Sequence, residues 1–183
     1  LARYAKVEDA ELIVPWLQRE GSNSVQVRRE AALALQRIHN PAVVSNLLSS
    51  LGDANEEAAV RTYCATALGQ YPEDQVIVGL IASLDANELS VNLAAAQSLH
   101  TLTGQAFEID RYAWFSWYKE ERANAQDLFE GMTYFEYPTY QHEPRWWDRF
   151  VFWEQRNEEK PSVPVGLEDP TRRSTYDDAT YRQ

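Results

Sequence analysis

The sequence predicts an all-α protein, an α-solenoid of stacked helix pairs with an extended aromatic-rich C-terminal tail. A nine-residue pattern of valine, small residues and leucine recurs three times in the first hundred residues, at spacings of 33 and 31. An apolar helical segment follows each of the first two copies. A repeat with this period indicates stacked supersecondary units. Aromatic residues then concentrate in residues 107–153, which hold 16 of the chain's 22, while residues 1–106 hold four.

The three copies begin at Val27, Val60 and Val91. In each copy the residues at offsets 0, 4, 5 and 8 are valine, a small residue, alanine and leucine, and these offsets share one helix face. Second helices are predicted over residues 41–51, 73–84 and, before the first copy, 10–19. We expect five antiparallel helices over residues 9–103, with the three valines structurally equivalent. Residues 1–4 have the pattern of the end of an earlier helix, so the sequence is expected to enter in mid-repeat.

Residues between the units and after the third copy predict helix termini. Asp53 and Asp85 are expected to cap the helices that follow them, since aspartate is a favoured N-cap. Gly104 is a natural helix stop, and Asp110 is a natural start for a helix that reaches Asn124. The predicted domains are the repeats in residues 1–105, an aromatic capping helix in 106–125 and a tail in 126–183.

These motifs resemble the HEAT-repeat family, including its bacterial HEAT-like or phycocyanobilin-lyase-type repeats. The family motif Val-Arg-x-x-Ala-Ala-x-Ala-Leu matches the copy at Val27 closely and the copy at Val60 nearly so, with Cys64 at one alanine position, whereas the third copy has Asn92 in place of arginine. The resemblance implies a polar ladder between repeats, formed by Arg28, Arg61 and the inter-repeat aspartate, with Asp53 near Arg61 and no pairing at Asn92. It also implies a general binding scaffold.

The end of the repeat array carries a finer resemblance. The sequence Leu-Thr-Gly-x-x-Phe-x-x-Asp-x-x-x-Trp, over residues 102–114, is similar to the terminal repeat of bacterial cell-envelope HEAT proteins. This similarity favours a bacterial cell-envelope location, on the periplasmic side, over a cytoplasmic one, and the compartment stays open.

The tail contains the candidate partner-binding residues, which are all aromatic: Trp146, Trp147, Phe150, Trp153, Tyr137 and Tyr140. Tryptophan and tyrosine dominate binding hot spots. Packing against the solenoid, docking on a partner protein and interfacial membrane contact all remain open for these side chains. Residues 158–183 hold too little apolar surface to fold alone, so they are either disordered or ordered on another surface. We expect the tail to run across neighbouring subunits.

Charge and composition exclude several function classes. The net charge of −11 argues against nucleic-acid binding, which needs a basic surface. No apolar run approaches the roughly 18 residues of a membrane-spanning helix. Cys64 could be a nucleophile or a bilin-attachment site, but it occupies the position filled by Ala31 and Ala95, which favours a packing role.

The remaining candidate chemistry predicts neither an enzyme nor a cofactor. The three histidines, His39, His100 and His142, lack helical spacing to one another, and no phosphate-binding loop or metalloprotease motif occurs. The sequence predicts a non-enzymatic scaffold or assembly subunit with protein partners. A bilin-lyase-like or other enzyme, and a peripheral membrane protein, are the alternatives.

Overall fold

The computed structural model describes residues 6–19, 23–124, 126–130, 140–142, 159–161 and 164–167. In the described parts of the chain it contains seven α-helices, one 3₁₀-helix and one pair of short strands. The elements are α1 (Asp9–Leu17), α2 (Val25–Leu35), η1 (Pro41–Val43), α3 (Val44–Gly52), α4 (Ala58–Leu68), α5 (Asp74–Ser83), α6 (Leu89–Thr103), α7 (Arg111–Ala123), β1 (Tyr140–His142) and β2 (Glu159–Pro161).

The helices form two layers of a solenoid. In one layer α4 packs between α2 and α6, and in the other α1, α3, α5 and α7 follow one another. Successive helices along the chain connect the layers, and their facing apolar residues form one continuous core. The predicted α-solenoid is therefore confirmed.

The number of helices differs from the prediction. Residues 9–103 form six α-helices rather than five, and these pack as the pairs α1–α2, α3–α4 and α5–α6. The segment predicted as one helix over residues 41–51 begins with the 3₁₀-turn η1. Pro41 occupies the first turn there, where its missing N–H costs nothing.

The repeat valines occupy equivalent places near the starts of α2, α4 and α6, but their burial differs. Val60 and Val91 are fully buried, whereas Val27 is 38% exposed. In this layer α2 packs against α4, which carries Val60, and α4 packs against α6, which carries Val91. No described helix precedes α2 in the layer, so Val27 lacks the neighbour that covers the other two valines. The first valine therefore lies on an open end of the described solenoid.

Polar residues set several helix ends as predicted. The Asp110 carboxylate accepts hydrogen bonds from the backbone N–H groups of Tyr112 and Ala113 and so begins α7. Gly104 ends α6 in the left-handed conformation, with φ of 72°, and its N–H donates to His100 O at 2.8 Å. Glycine adopts this conformation without the steric cost of a side chain.

The predicted capping by Asp53 and Asp85 is wrong. The N-cap residues of α4 and α6 are Glu57 and Glu88, and neither cap position makes a side-chain capping bond. Asp53 instead accepts from Asn55 N at 2.9 Å, within the turn, and this backbone bond lowers the pKa of its carboxyl. Asp85 is exposed and pairs with Arg111 of α7.

Helix α7 continues the second layer by packing on α5. Trp114 is fully buried, and its indole N–H donates to Glu108 O at 2.8 Å. Phe107 and Trp117 both pack against Trp114, with ring centroids 5.0 and 5.9 Å away. Aromatic side chains of α7 thus pack at the end of the repeat array, where this helix contacts α5.

Parts of the tail have defined positions. β1 and β2 pair antiparallel, with Gln141 opposite Lys160. Residues 164–167 contact the connection between α2 and η1, through a parallel bridge of Val165 with Ile38. The backbone of this segment hydrogen-bonds to the first repeat of the same chain. The expected course of the tail across neighbouring subunits stays a prediction.

Candidate protein-interaction surface

Two arginine–glutamate ion pairs connect consecutive repeats, one buried and one partly exposed. The Arg28 guanidinium donates to both carboxylate oxygens of Glu56, at 2.7 and 2.9 Å. One repeat later, Arg61 donates to Glu88 at 2.9 Å and to Leu51 O at 3.0 Å. Each arginine thus reaches the residues just before the next helix of its own layer, α4 for Arg28 and α6 for Arg61. A ladder is present, and its bidentate rung fixes orientation as well as distance.

The acid of the predicted ladder was wrong. Asp53 does not pair with Arg61; its carboxylate lies 3.4 Å from Arg19 at the surface. Glu56 stands at a helix start with 2% of its side chain exposed, against 34% for the turn residue Asp53, and Glu88 stands at the equivalent helix start beside Arg61. In the third copy, Asn92 replaces the arginine, and its buried Oδ1 has no hydrogen-bond partner in the described structure.

Side-chain-to-backbone bonds add a second set of connections between repeats. Gln70 donates to Leu35 O at 3.1 Å, and Ser98 donates to Ala65 O at 2.8 Å. Both donors are buried. Since a buried backbone carbonyl is costly to leave without a donor, these bonds favour one stacking register of the helices.

Cys64 has the surroundings of a packing residue. It is fully buried in α4, and burial, followed by the charge of Glu56, raises the pKa of its thiol. A reactive cysteine needs access and a lowered pKa, since the thiolate is the nucleophile. Neither condition holds at this position.

The other candidate chemical groups are not brought together in the described structure. His39 stacks on Tyr71, with ring centroids 4.7 Å apart, and the ring of His100 hydrogen-bonds to Gln105 O. His142 lies in β1. Among the residues whose side chains are described, no group of three or more histidine, cysteine or acidic residues is placed to hold a metal ion.

An apolar cleft of about 160 Å³ opens between α5 and α7. It is lined by Val78, Ile81, Ala82, Arg111, Phe115 and Tyr118. Val78 is 47% exposed and Phe115 is 56% exposed, although both are large and apolar. Exposed apolar side chains around a concave apolar surface are typical of a protein-binding site.

Charged and polar groups border this cleft. The Tyr118 hydroxyl donates to Asp74 at 3.1 Å, and Arg122 lies 3.4 Å from the same carboxylate. Burial and then the hydrogen bond to Asp74 raise the pKa of the Tyr118 phenol above its ordinary value. On the other side Arg111 pairs with Asp85 at 3.2 Å. The cleft is therefore an apolar centre with a polar rim, the arrangement of binding hot spots.

Most of the predicted partner-binding residues lie outside the described residues. These are Tyr137, Trp146, Trp147, Phe150 and Trp153, and of the predicted set only Tyr140 is placed, in β1. Phe115 and Val78, which line the cleft, were not singled out from the sequence. The aromatic helix was predicted, but only its face with Trp114, Trp117 and Tyr118 was singled out. The sequence signal that could have indicated Phe115 is its place on another face of the same helix.

Comparison with known protein families agrees with this geometry. A family model described as HEAT repeats matches residues 11–100. Residues 11–100 belong to the HEAT-repeat family. The matched HEAT repeats run from α1 into α6 and include both arginine–glutamate rungs. No curated protein matches the chain significantly.

HEAT repeats generally mediate protein–protein interaction, through the extended surfaces that stacked helix pairs create.

Within the described residues, none of the helices is both long and apolar enough to cross a membrane.

Proposed function

We propose that this HEAT-repeat protein is a non-enzymatic scaffold that binds a partner protein at the α5–α7 cleft and through its aromatic C-terminal residues. The observation that carries the proposal is the pair of exposed apolar side chains, Val78 and Phe115, on either side of an apolar cleft. An aliphatic or aromatic side chain of a partner would fill this volume and remove both residues from water.

The ladder supports a scaffold role for the repeats behind the cleft. The buried Arg28–Glu56 pair and the Gln70 and Ser98 bonds hold successive helices in one register. A surface that is already ordered loses little conformational entropy when a partner binds. The bacterial cell-envelope location remains part of the proposal and rests on the similarity of residues 102–114 alone.

The test is the size of the native assembly, measured by size-exclusion chromatography from the cells that make the protein. We expect the wild-type protein to elute well above the 21.1 kDa of this chain. The double variant Val78→Ala with Phe115→Ala should shift toward the free protein. Ser116→Ala is the matched control, because Ser116 is exposed on α7 beside Phe115.

Circular dichroism separates lost binding from lost folding, since both substituted side chains are about half exposed and alanine favours helix. Elution of the wild type as the free protein would contradict the proposal. So would a double variant that folds normally and stays in the assembly as fully as the control.

A further inference from the structure

The connection between α2 and η1 forms a short backbone edge, residues Arg37–His39, which we call the loop edge. Ile38 is almost fully buried, and its carbonyl accepts from the Tyr71 hydroxyl at 3.4 Å. The same hydroxyl accepts from Asn40 N at 3.2 Å, and the His39 ring stacks on Tyr71. Tyr71 therefore holds the loop edge from inside, which leaves the Arg37 carbonyl and the His39 N–H for another segment.

A four-residue turn from the tail, Pro164–Leu167, fills that edge. Val165 N donates to Arg37 O at 2.9 Å, and His39 N donates to Val165 O at 2.8 Å. Leu167 N donates to Pro164 O at 3.1 Å, which closes a β-turn with Val165 and Gly166 at its centre. Gly166 has φ of 89°, as the third position of a type II turn requires.

The contact selects glycine for two separate reasons. The positive φ disfavours any residue with a side chain. A Cβ atom on Gly166 would also lie 2.8 Å from His39 O and 2.6 Å from a methyl group of Val7. Because the His39 carbonyl belongs to the held loop edge, it cannot move away cheaply. The surface therefore discriminates between turn sequences.

The loop edge is specific to one repeat of the described solenoid. At the 33-residue spacing, the residue equivalent to His39 is Pro72, which has no N–H to donate. In the next repeat the same position falls within α6, whose backbone groups bond inside the helix. Among the described repeats, only the first offers both the acceptor and the donor that the Pro164–Leu167 turn uses.

We propose that the loop edge is a docking site for a β-turn of the form Pro-Val-Gly-Leu, and that the chain's own turn is its resident, displaceable ligand. Main-chain hydrogen bonds supply the attachment, as in other cases of strand addition, and the glycine supplies specificity. A turn on the same chain competes at a high effective concentration with any peptide in solution. A partner with the same turn chemistry would therefore bind once the resident turn is released. This site is separate from the α5–α7 cleft, so either can fail without the other.

The experiment follows the His39 amide by NMR in the full chain. In the wild type we expect its hydrogen exchange to be about tenfold or more slower than in Gly166→Ala, because the bond to Val165 O is lost in the variant. Gly52→Ala is the matched control, since a Cβ there meets no atom within 4 Å. Rapid exchange of His39 in the wild type would overturn the proposal, whatever the folding of any variant.

The second arm adds a synthetic peptide of residues 161–168 at millimolar concentration. We expect it to shift the His39 amide resonance of Gly166→Ala at least about threefold more than that of the wild type, where the resident turn competes. The same peptide with alanine at the Gly166 position should leave the resonance unchanged. If Gly166→Ala loses its helical circular dichroism, Val165→Pro, which removes the N–H donated to Arg37, takes its place. The proposal would be overturned if the two peptides shifted the His39 amide resonance of the variant equally, or if neither peptide shifted it.

Discussion

The guanidinium of Arg28 and the carboxylate of Glu56, 28 residues apart in sequence, form a bidentate pair with only 8% and 2% of their side chains exposed. The next rung differs, because the Glu88 side chain that pairs with Arg61 is 38% exposed. The two rungs are therefore unequal, although the repeat motif places them equivalently. Removing one partner of a buried ion pair leaves the other charge buried without a partner, whereas at an exposed pair water solvates the remaining charge.

Removing each acid in turn tests this inequality. We expect Glu56→Ala to lower the free energy of unfolding by about 3 kcal/mol or more, because it leaves Arg28 buried without its partner. Glu88→Ala should cost less than half as much, about 1 kcal/mol, since water reaches that rung. Urea denaturation measures both values. Equal losses would show that the two rungs have the same energetic role.

Cys64→Ala tests the packing role of the single cysteine. We expect a loss of about 1 kcal/mol in the free energy of unfolding and no loss of partner binding, because alanine already occupies the equivalent positions 31 and 95. Thermal unfolding and the size of the native assembly are the two measurements. A folded variant that had lost all function would restore the catalytic or covalent-attachment hypothesis for this thiol.

Tyr71 makes the stability of the fold depend on pH in the alkaline range. Burial raises the pKa of its phenol from 10 to about 12, with the charge of Glu73 adding to the effect. Since the folded pKa lies above the unfolded value, the stability from the neutral phenol is complete below pH 10. It is lost as the pH rises toward 12, and amounts to about 2 to 3 kcal/mol.

The variant Tyr71→Phe isolates this contribution. It should be less stable than the wild type at pH 7, because it loses the hydroxyl bonds to Ile38 O and Asn40 N. Its stability should fall less steeply between pH 10 and 12. Urea midpoints across this range measure the slopes, and parallel slopes for the two proteins would contradict the assignment.

The tail tryptophans provide a prediction about residues outside the described structure. Replacing Trp146, Trp147 and Trp153 by alanine should release the protein from its assembly and leave the thermal unfolding of the solenoid nearly unchanged. The reason is that so many aromatic side chains in one segment, if left in water, are typical of an interaction site. Size-exclusion chromatography and calorimetry of the triple variant test this. Early unfolding of the free variant would place these side chains in the domain's own core.

Most of the fold could be predicted from the repeat motif, because local helical periodicity determines which face of each helix is buried. The alignment of Val27, Val60 and Val91 predicted three helix starts, and Gly104 and Asp110 predicted a stop and a start. Choosing Glu56 over Asp53 as the partner of an arginine was not possible from spacing alone, since it depends on the depth of each acid in the stack.

The α5–α7 cleft and the contact of the tail with the loop edge were less predictable, because both depend on contacts between segments that are distant in sequence. The cleft depends on how α7 rotates against α5, which leaves Phe115 exposed while Trp114 is buried. The bridge between Val165 and Ile38 joins residues 127 positions apart, with a pattern too short to stand out from the tail's other apolar residues. Long-range backbone pairing of single residues leaves no periodic signal.

Amine crosslinking of the native assembly, followed by mass spectrometry, tests the proposed scaffold function most directly. The chain has three lysines, Lys6, Lys119 and Lys160, and Lys119 is exposed on α7 one turn after Phe115. We expect crosslinks from Lys119 to one defined partner polypeptide, lost in the Val78→Ala, Phe115→Ala variant and kept in Ser116→Ala. Partner crosslinks confined to Lys6, or Lys119 crosslinks unchanged in the folded double variant, would contradict the proposed scaffold function.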